Sequence, residues 1–90
     1  MSLASANGVI SLFWPTSSES DVIGYHLYRA DAADADEKSW LRLNAQPLTA
    51  VTFHDDRVTL GQRYYYKVTA IDVFNNESLA SRIVSETANP

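Results

Sequence analysis

The side chains of this 90-residue chain with chemical potential are few: two histidines, a serine-rich stretch and an acidic run. A metal ion needs three or four converging ligands, and a nucleophilic serine needs a base beside it and a turn that exposes it. His26 and His54 fall on the outward faces of different strands, so they share neither a base-and-nucleophile pair nor a metal. Ser17, Ser18 and Ser20 lie in a polar stretch without a glycine-framed nucleophile turn. Asp31, Asp34, Asp36 and Glu37 offer oxygen atoms of the kind calcium takes. Their spacing lacks the central glycine and terminal glutamate of a calcium loop, and they read as a solvated connection. Asp55 and Asp56 read as turn formers, with Asp55 accepting from nearby backbone amides. Cysteine is absent, which excludes disulfides, thiolate metal sites and thiol nucleophiles. These residues therefore predict no enzyme, no catalytic or metal-binding residue and no cofactor.

A second set has the right chemistry for recognition. Tyr28, Trp40 and Tyr65, with Arg42 and Lys67 near them, are expected on one outward sheet face. Flat aromatic rings beside hydrogen-bonding groups stack on sugars or anchor protein interfaces. Tyr28 and Tyr65 serve equally well as cross-strand pairs that stabilise a sheet, and the sequence leaves both readings open. A net charge of −4 disfavours phosphate backbones and anionic membrane surfaces, so nucleic acid is not an expected partner. Apolar runs fall far short of the roughly 20 residues that cross a bilayer, and membrane insertion is not expected. No Arg-Gly-Asp tripeptide occurs.

The elements that must hold these residues can be read from alternation. In Tyr64-Tyr65-Tyr66-Lys67-Val68-Thr69-Ala70, the residues Tyr64, Tyr66, Val68 and Ala70 share one face and Tyr65, Lys67 and Thr69 the other. This strand is expected from about Arg63 to Asp72, entered through a turn at Gly61 and left through Asn75 and Asn76, which tolerate positive φ. Asn7-Gly8 signals a two-residue hairpin turn between strands at about 3–6 and 9–14. Ile10, Leu12 and Trp14 then face inward, Ser11 and Phe13 outward, and Pro15 ends the strand. Residues 22–29 form a third strand with Ile23, Tyr25 and Leu27 on one face and His26 and Tyr28 on the other. Beyond a polar connection that has room for one helical turn, strands are expected at 40–43, 49–54 and 79–86. Seven short strands and no long helix predict an all-β fold, a sandwich of two antiparallel sheets. With 46% hydrophobic and 20% charged residues, the chain has the composition of an ordinary globular core.

The combination resembles a known family. Trp14, the run Asp21-Val22-Ile23-Gly24-Tyr25-His26-Leu27-Tyr28-Arg29, then Phe53-His54-Asp55, Val58, Gly61, Tyr64 to Asp72 and Asn76-Glu77-Ser78 look like a fibronectin type III domain. The likeness is to the bacterial kind that is repeated in secreted multidomain proteins. It covers nearly the whole chain. Leu60 and Asn75 depart from it, standing where proline and glycine are common, and the first strand is short. The resemblance implies an immunoglobulin-like sandwich of seven strands, A-B-E against C′-C-F-G, with Tyr64 as the tyrosine-corner residue and Trp14 as the core tryptophan. Residues 3–87 are the expected domain, with 1–2 and 88–90 as terminal or linker remnants. Asn76-Glu77-Ser78 also fits a glycosylation acceptor, but the family's turn before the last strand accounts for the same residues.

The implied function is that of a non-catalytic spacer, protein-interaction or adhesion module in a larger extracellular, cell-surface or periplasmic bacterial protein. Its partners would be neighbouring domains of the same chain, or a protein or polysaccharide. The alternative is a carbohydrate-binding accessory module of a polysaccharide-degrading enzyme, working through Tyr28, Trp40 and Tyr65.

Overall fold

Asn7 and Gly8 both take positive φ, 56° and 75°, as a type I′ turn requires. Strand β1 (Ser2–Ala6) therefore folds directly back on β2 (Val9–Phe13), and β5 (Thr52–Asp55) completes a three-stranded sheet in the order β1-β2-β5. The facing sheet contains β3 (Val22–Ala30), β4 (Leu41–Arg42), β6 (Arg63–Asp72) and β7 (Val84–Thr87), in the order β4-β3-β6-β7. The computed structural model describes every residue from Met1 to Pro90. The seven-strand sandwich has the strand order that the resemblance implied.

The core closes between the two inward faces. Ile10, Leu12 and Trp14 from the smaller sheet pack against Tyr25, Leu27, Tyr64, Tyr66 and Val68 from the larger one, with Ala88 added from the end of the chain. Alternation places each of the strand residues correctly except near the start of β3. A bulge between Val22 and Gly24 inserts one residue, so Val22 packs on the core and Ile23, expected inside, is 49% exposed. Such an insertion flips every side chain on one side of it. Gly24 is needed there for another reason: a Cβ would lie 2.6 Å from Pro47 Cβ and 2.9 Å from the Leu48 carbonyl oxygen.

Three expected strands are shorter than predicted, each for a visible reason. Leu48 bridges to Tyr25 in the larger sheet, whereas Val51 accepts from Trp14 N at 3.0 Å in the smaller one. The chain thus crosses between sheets over residues 49–51, and β5 starts only at Thr52. Before β7, the hydroxyls of Ser78 and Ser81 accept from Ala70 N and Val68 N at 2.8 and 3.0 Å, while their own amides donate to the Ala70 and Val68 carbonyls at 2.9 and 2.8 Å. Side chains take over ladder positions, and regular pairing begins at Val84. In the long connection, Asp36 caps a single 3-10 turn, Glu37–Ser39, leaving β4 only two residues long.

Gly61, at φ 86°, leads into the tyrosine corner: the Tyr64 hydroxyl accepts from Thr59 N at 2.8 Å, as the resemblance implied. The carboxyl-terminal residues expected to be a linker are bonded into the body instead. Ala88 is fully buried and exchanges backbone bonds with Gln62 and Gly61, and Asn89 accepts from Gly8 N at 2.9 Å and donates to Ser5 Oγ at 2.8 Å.

Candidate interaction surface

Register builds the outer face of the larger sheet as rows across the strands. Tyr28 on β3 stands opposite Arg42 on β4 and Lys67 on β6, so these three form one continuous row. The next row joins Ala30, Tyr65 and Ser85, leaving Tyr65 half-buried between two small side chains. On the other side, His26 stands opposite Thr69. Trp40 approaches from the loop before β4.

These groups satisfy one another. Lys67 Nζ lies 4.5 Å from the centre of the Trp40 ring and 5.8 Å from that of Tyr28, within reach of a cation–π attraction, and it pairs with Glu37 at 3.1 Å. The Trp40 indole donates to the Ala35 carbonyl at 3.1 Å, and the residue is only 9% exposed. Glu77 accepts from the Tyr28 and Thr69 hydroxyls. Tyr28, Trp40, Arg42 and Lys67 are thus brought together as a packed layer, with Tyr65 one row away. Burial, the Glu77 bond and the Glu77 charge push the Tyr28 phenol up to about 12.

His26, expected to be exposed, is buried. Its Nδ1 lies 3.0 Å from Asn44 Nδ2 and its Nε2 3.5 Å from Arg42 Nη1, and its ring meets Tyr28 edge-on. Asn44 in turn serves β3 as a missing strand would: its Oδ1 accepts from Leu27 N at 2.9 Å, and its Nδ2 donates to the Tyr25 and Gln46 carbonyls at 3.1 and 2.6 Å. No signal in the sequence marks Asn44 or Glu77 for these roles, which depend on where two connections return. His54, by contrast, is exposed on the other sheet and bonds Ser11 Oγ at 2.9 Å.

The groups nearest the His26 ring nitrogens, Asn44 Nδ2 and Arg42 Nη1, are not acceptors, so protonating the ring gains no hydrogen bond from them. Burial first, then the Arg42 charge, lower its pKa, against an opposing pull from Glu77. Burial alone would raise the Glu77 pKa, but the Thr69 and Tyr28 hydroxyls hold it below its ordinary value. Both groups bind protons more readily in the unfolded chain. Their stabilisation is complete above about pH 6.5, the ordinary histidine value. It is lost as pH falls, the His26 part through that residue's lowered folded value and the Glu77 part in the carboxylate range. Urea midpoints are expected to drop between pH 7.5 and 5.5, and His26→Gln should flatten that interval. An equal drop in the variant would remove His26 as the cause.

Between the sheets lies a second polar cluster. Arg29 Nη1 meets the Asp55 carboxylate at 2.9 and 3.1 Å, and the Tyr66 hydroxyl donates to Asp55 Oδ2 at 2.7 Å. Asp55 does accept from a local amide, Arg57 N at 3.3 Å, but this is the weakest of its bonds. Its side chain is 3% exposed, that of Arg29 15%, and the Arg29 guanidinium also lies 5.2 Å from the centre of the Tyr64 ring. Burial, then the Asp55 bond, raises the Tyr66 pKa strongly. The cluster ties β5 of one sheet to β3 and β6 of the other.

An antiparallel sandwich of three and four strands, closed by a tyrosine corner and faced by a self-paired aromatic and charged layer, defines an immunoglobulin-like module. The chain belongs to the fibronectin type III domains: the family described as "Fibronectin type III domain SaeA third domain" matches residues 1–89. It is 37% identical over 75 residues to an amylopullulanase of Thermoanaerobacterium saccharolyticum, covering 82% of this chain and 5% of that protein. Among solved structures, a β-1,2-glucanase from Parabacteroides distasonis superposes with a TM-score of 0.81 at 27% identity, covering 100% of this chain and 12% of the enzyme. An Fn3-like protein from Clostridium thermocellum has the same fold, with a TM-score of 0.81 at 20% identity over 99% of this chain and 88% of that one. Fibronectin type III domains are generally non-catalytic, and relatives of this one are parts of larger polysaccharide-active enzymes. No helix is long and apolar enough to cross a membrane.

Proposed function

We propose that this domain is a non-catalytic spacer that holds neighbouring domains of a polysaccharide-active polypeptide apart and in fixed orientation, outside the cytoplasm where polymeric substrates are met. The observation that carries the reading is the direction of the outer strands. β1 runs toward the Asn7–Gly8 turn, and β7 leads to Asn89, which is bonded to Gly8 at that same pole. Chain arrives at one end of a body 39 Å long and leaves at the other. The inter-sheet cluster and the bonded termini make that body stiff.

A carbohydrate-binding role for Tyr28, Trp40 and Tyr65 has less support, because Lys67 occupies the Trp40 face and Glu77 engages the Tyr28 hydroxyl. The test is replacement of the domain, within its parent polypeptide, by a flexible Gly/Ser linker of equal mean span. Distances between the flanking domains should broaden in X-ray scattering, and turnover of insoluble polysaccharide should fall while that of a short soluble oligosaccharide holds. Unchanged turnover on both substrates would defeat the spacer reading. Retention of the isolated domain on a polysaccharide, lost on Tyr65→Ala, would favour the carbohydrate role.

A further inference from the structure

The hairpin turn of the smaller sheet holds a reactive pair. Asparagine is a thermolabile residue because the backbone nitrogen that follows it can attack its side-chain amide carbon. A side chain on the following residue hinders that approach, and glycine has none. Among the asparagines of this chain only Asn7 precedes a glycine, and it is exposed at the tip of the turn with φ 56°. The others are held. The Asn44 amide is bonded through both its oxygen and its nitrogen. Asn76 Nδ2 donates to Asp72 Oδ2 at 3.2 Å, and the nitrogen that follows Asn75, Asn76 N, is engaged by Asp72 Oδ1 at 2.8 Å. Asn89 precedes Pro90, whose nitrogen has no proton to give up. At Asn7 a single contact restrains the reaction. The attacking atom would be Gly8 N, which reacts only once its proton has left, and that N–H is donated to the Asn89 carbonyl at 2.9 Å. Asn89 is fixed in turn by its own N–H, which donates to Ser5 Oγ at 2.8 Å.

We propose that Asn7 is a site of spontaneous covalent modification and that the bond from Gly8 N to the Asn89 carbonyl is its gate. Gly8 N forms a bond to Asn7 Cγ and the bond from Cγ to Nδ2 breaks. Nδ2 leaves as ammonia, taking the Gly8 amide proton as its third hydrogen. Water then opens the cyclic imide at one carbonyl or the other and leaves aspartate or isoaspartate. Nothing is oxidised or reduced, and water is the only reagent. Isoaspartate carries the main chain through the side-chain carbon and lengthens it by one atom. A two-residue turn with positive φ at both positions has no place for that atom, and the same turn sets the pairing of Ala6 with Val9. Either product adds a negative charge beside Gly8. The modified turn therefore gives up its bond to Asn89, and no reversal of the chemistry restores it.

The test compares the folded domain with a synthetic peptide of residues 4–11, both incubated at mildly alkaline pH. Peptide mapping by mass reads the change from amide to acid, and an isoaspartate-specific methyltransferase labels the rearranged form. The peptide should convert at Asn7, and the domain at least tenfold more slowly. Urea below the unfolding transition should speed Gly8 amide exchange and Asn7 conversion by the same factor, because both wait on one local opening. Ser5→Ala, which frees Asn89 N without touching the turn, should move the two rates together in the same way. The isoaspartate form, separated by its added charge, should have lost the protection of the Gly8 amide. A peptide that does not convert would overturn the site. A domain that converts as fast as the peptide would overturn the gate, as would conversion that stays constant while Gly8 exchange quickens.

Discussion

Replacing Asp55 with alanine is expected to destabilise the domain by about 3–5 kcal/mol, the range seen when one partner of a buried ion pair is removed. The loss strands the Arg29 guanidinium and the Tyr66 hydroxyl between the sheets, where the Tyr66 side chain is fully buried. A chain of this length has about 5–13 kcal/mol to lose, so the variant should be marginal at 37 °C. The contrasting variant is Arg29→Met, Asp55→Leu and Tyr66→Phe together. It removes the three polar side chains together, leaving only the Arg57 backbone groups that bonded them, and should retain more stability than Asp55→Ala alone, since replacing a whole buried pair with apolar groups is often near neutral. Urea unfolding followed by tryptophan fluorescence measures both. A loss under 1 kcal/mol for Asp55→Ala would mean that water reaches the cluster and that its bonds contribute little.

Trp14→Ala should cost a similar amount, about 3–5 kcal/mol, by a different route. Trp14 packs among Ile10, Leu12, Tyr25 and Val68 and meets the Tyr25 ring edge-on at 5.8 Å. Truncation leaves a void that a sheet pinned on both sides cannot close. Trp14→Phe separates packing from polarity: it keeps most of the ring volume and deletes the unpaired N–H, so its cost should be much smaller than that of alanine. Thermal melting of the two variants decides the matter. A Trp14→Ala protein that melts within a few degrees of the parent would take Trp14 out of the core.

The inner faces were legible in the sequence because side-chain alternation carries burial directly: Ile10, Leu12, Tyr64, Tyr66 and Val68 needed no other signal. Arg29 and Asp55 were not assigned to the inner faces from the sequence, where Asp55 reads as a turn former, although the alternation of Tyr25 and Leu27 and of Phe53 runs through both. What alternation cannot convey is the coverage added by connections. Trp40, expected on the open outer face, is wrapped by its own loop and by Lys67, and His26 is sealed by Asn44, which arrives from a segment with no periodicity of its own. The bulge at Ile23 and the serine bonds before β7 escaped for a related reason. Both are departures from the two-residue repeat, which the repeat itself cannot announce.

The bonds that fasten Asn89 to Gly8 and Ser5, and Ala88 to Gly61 and Gln62, have a mechanical consequence. Force applied between the chain ends enters along β1 and leaves along β7, parallel to the strands and across hydrogen bonds that must then yield together rather than peel in turn. Pulled from its two ends, such a domain would transmit tension with little extension until its ladders fail at once.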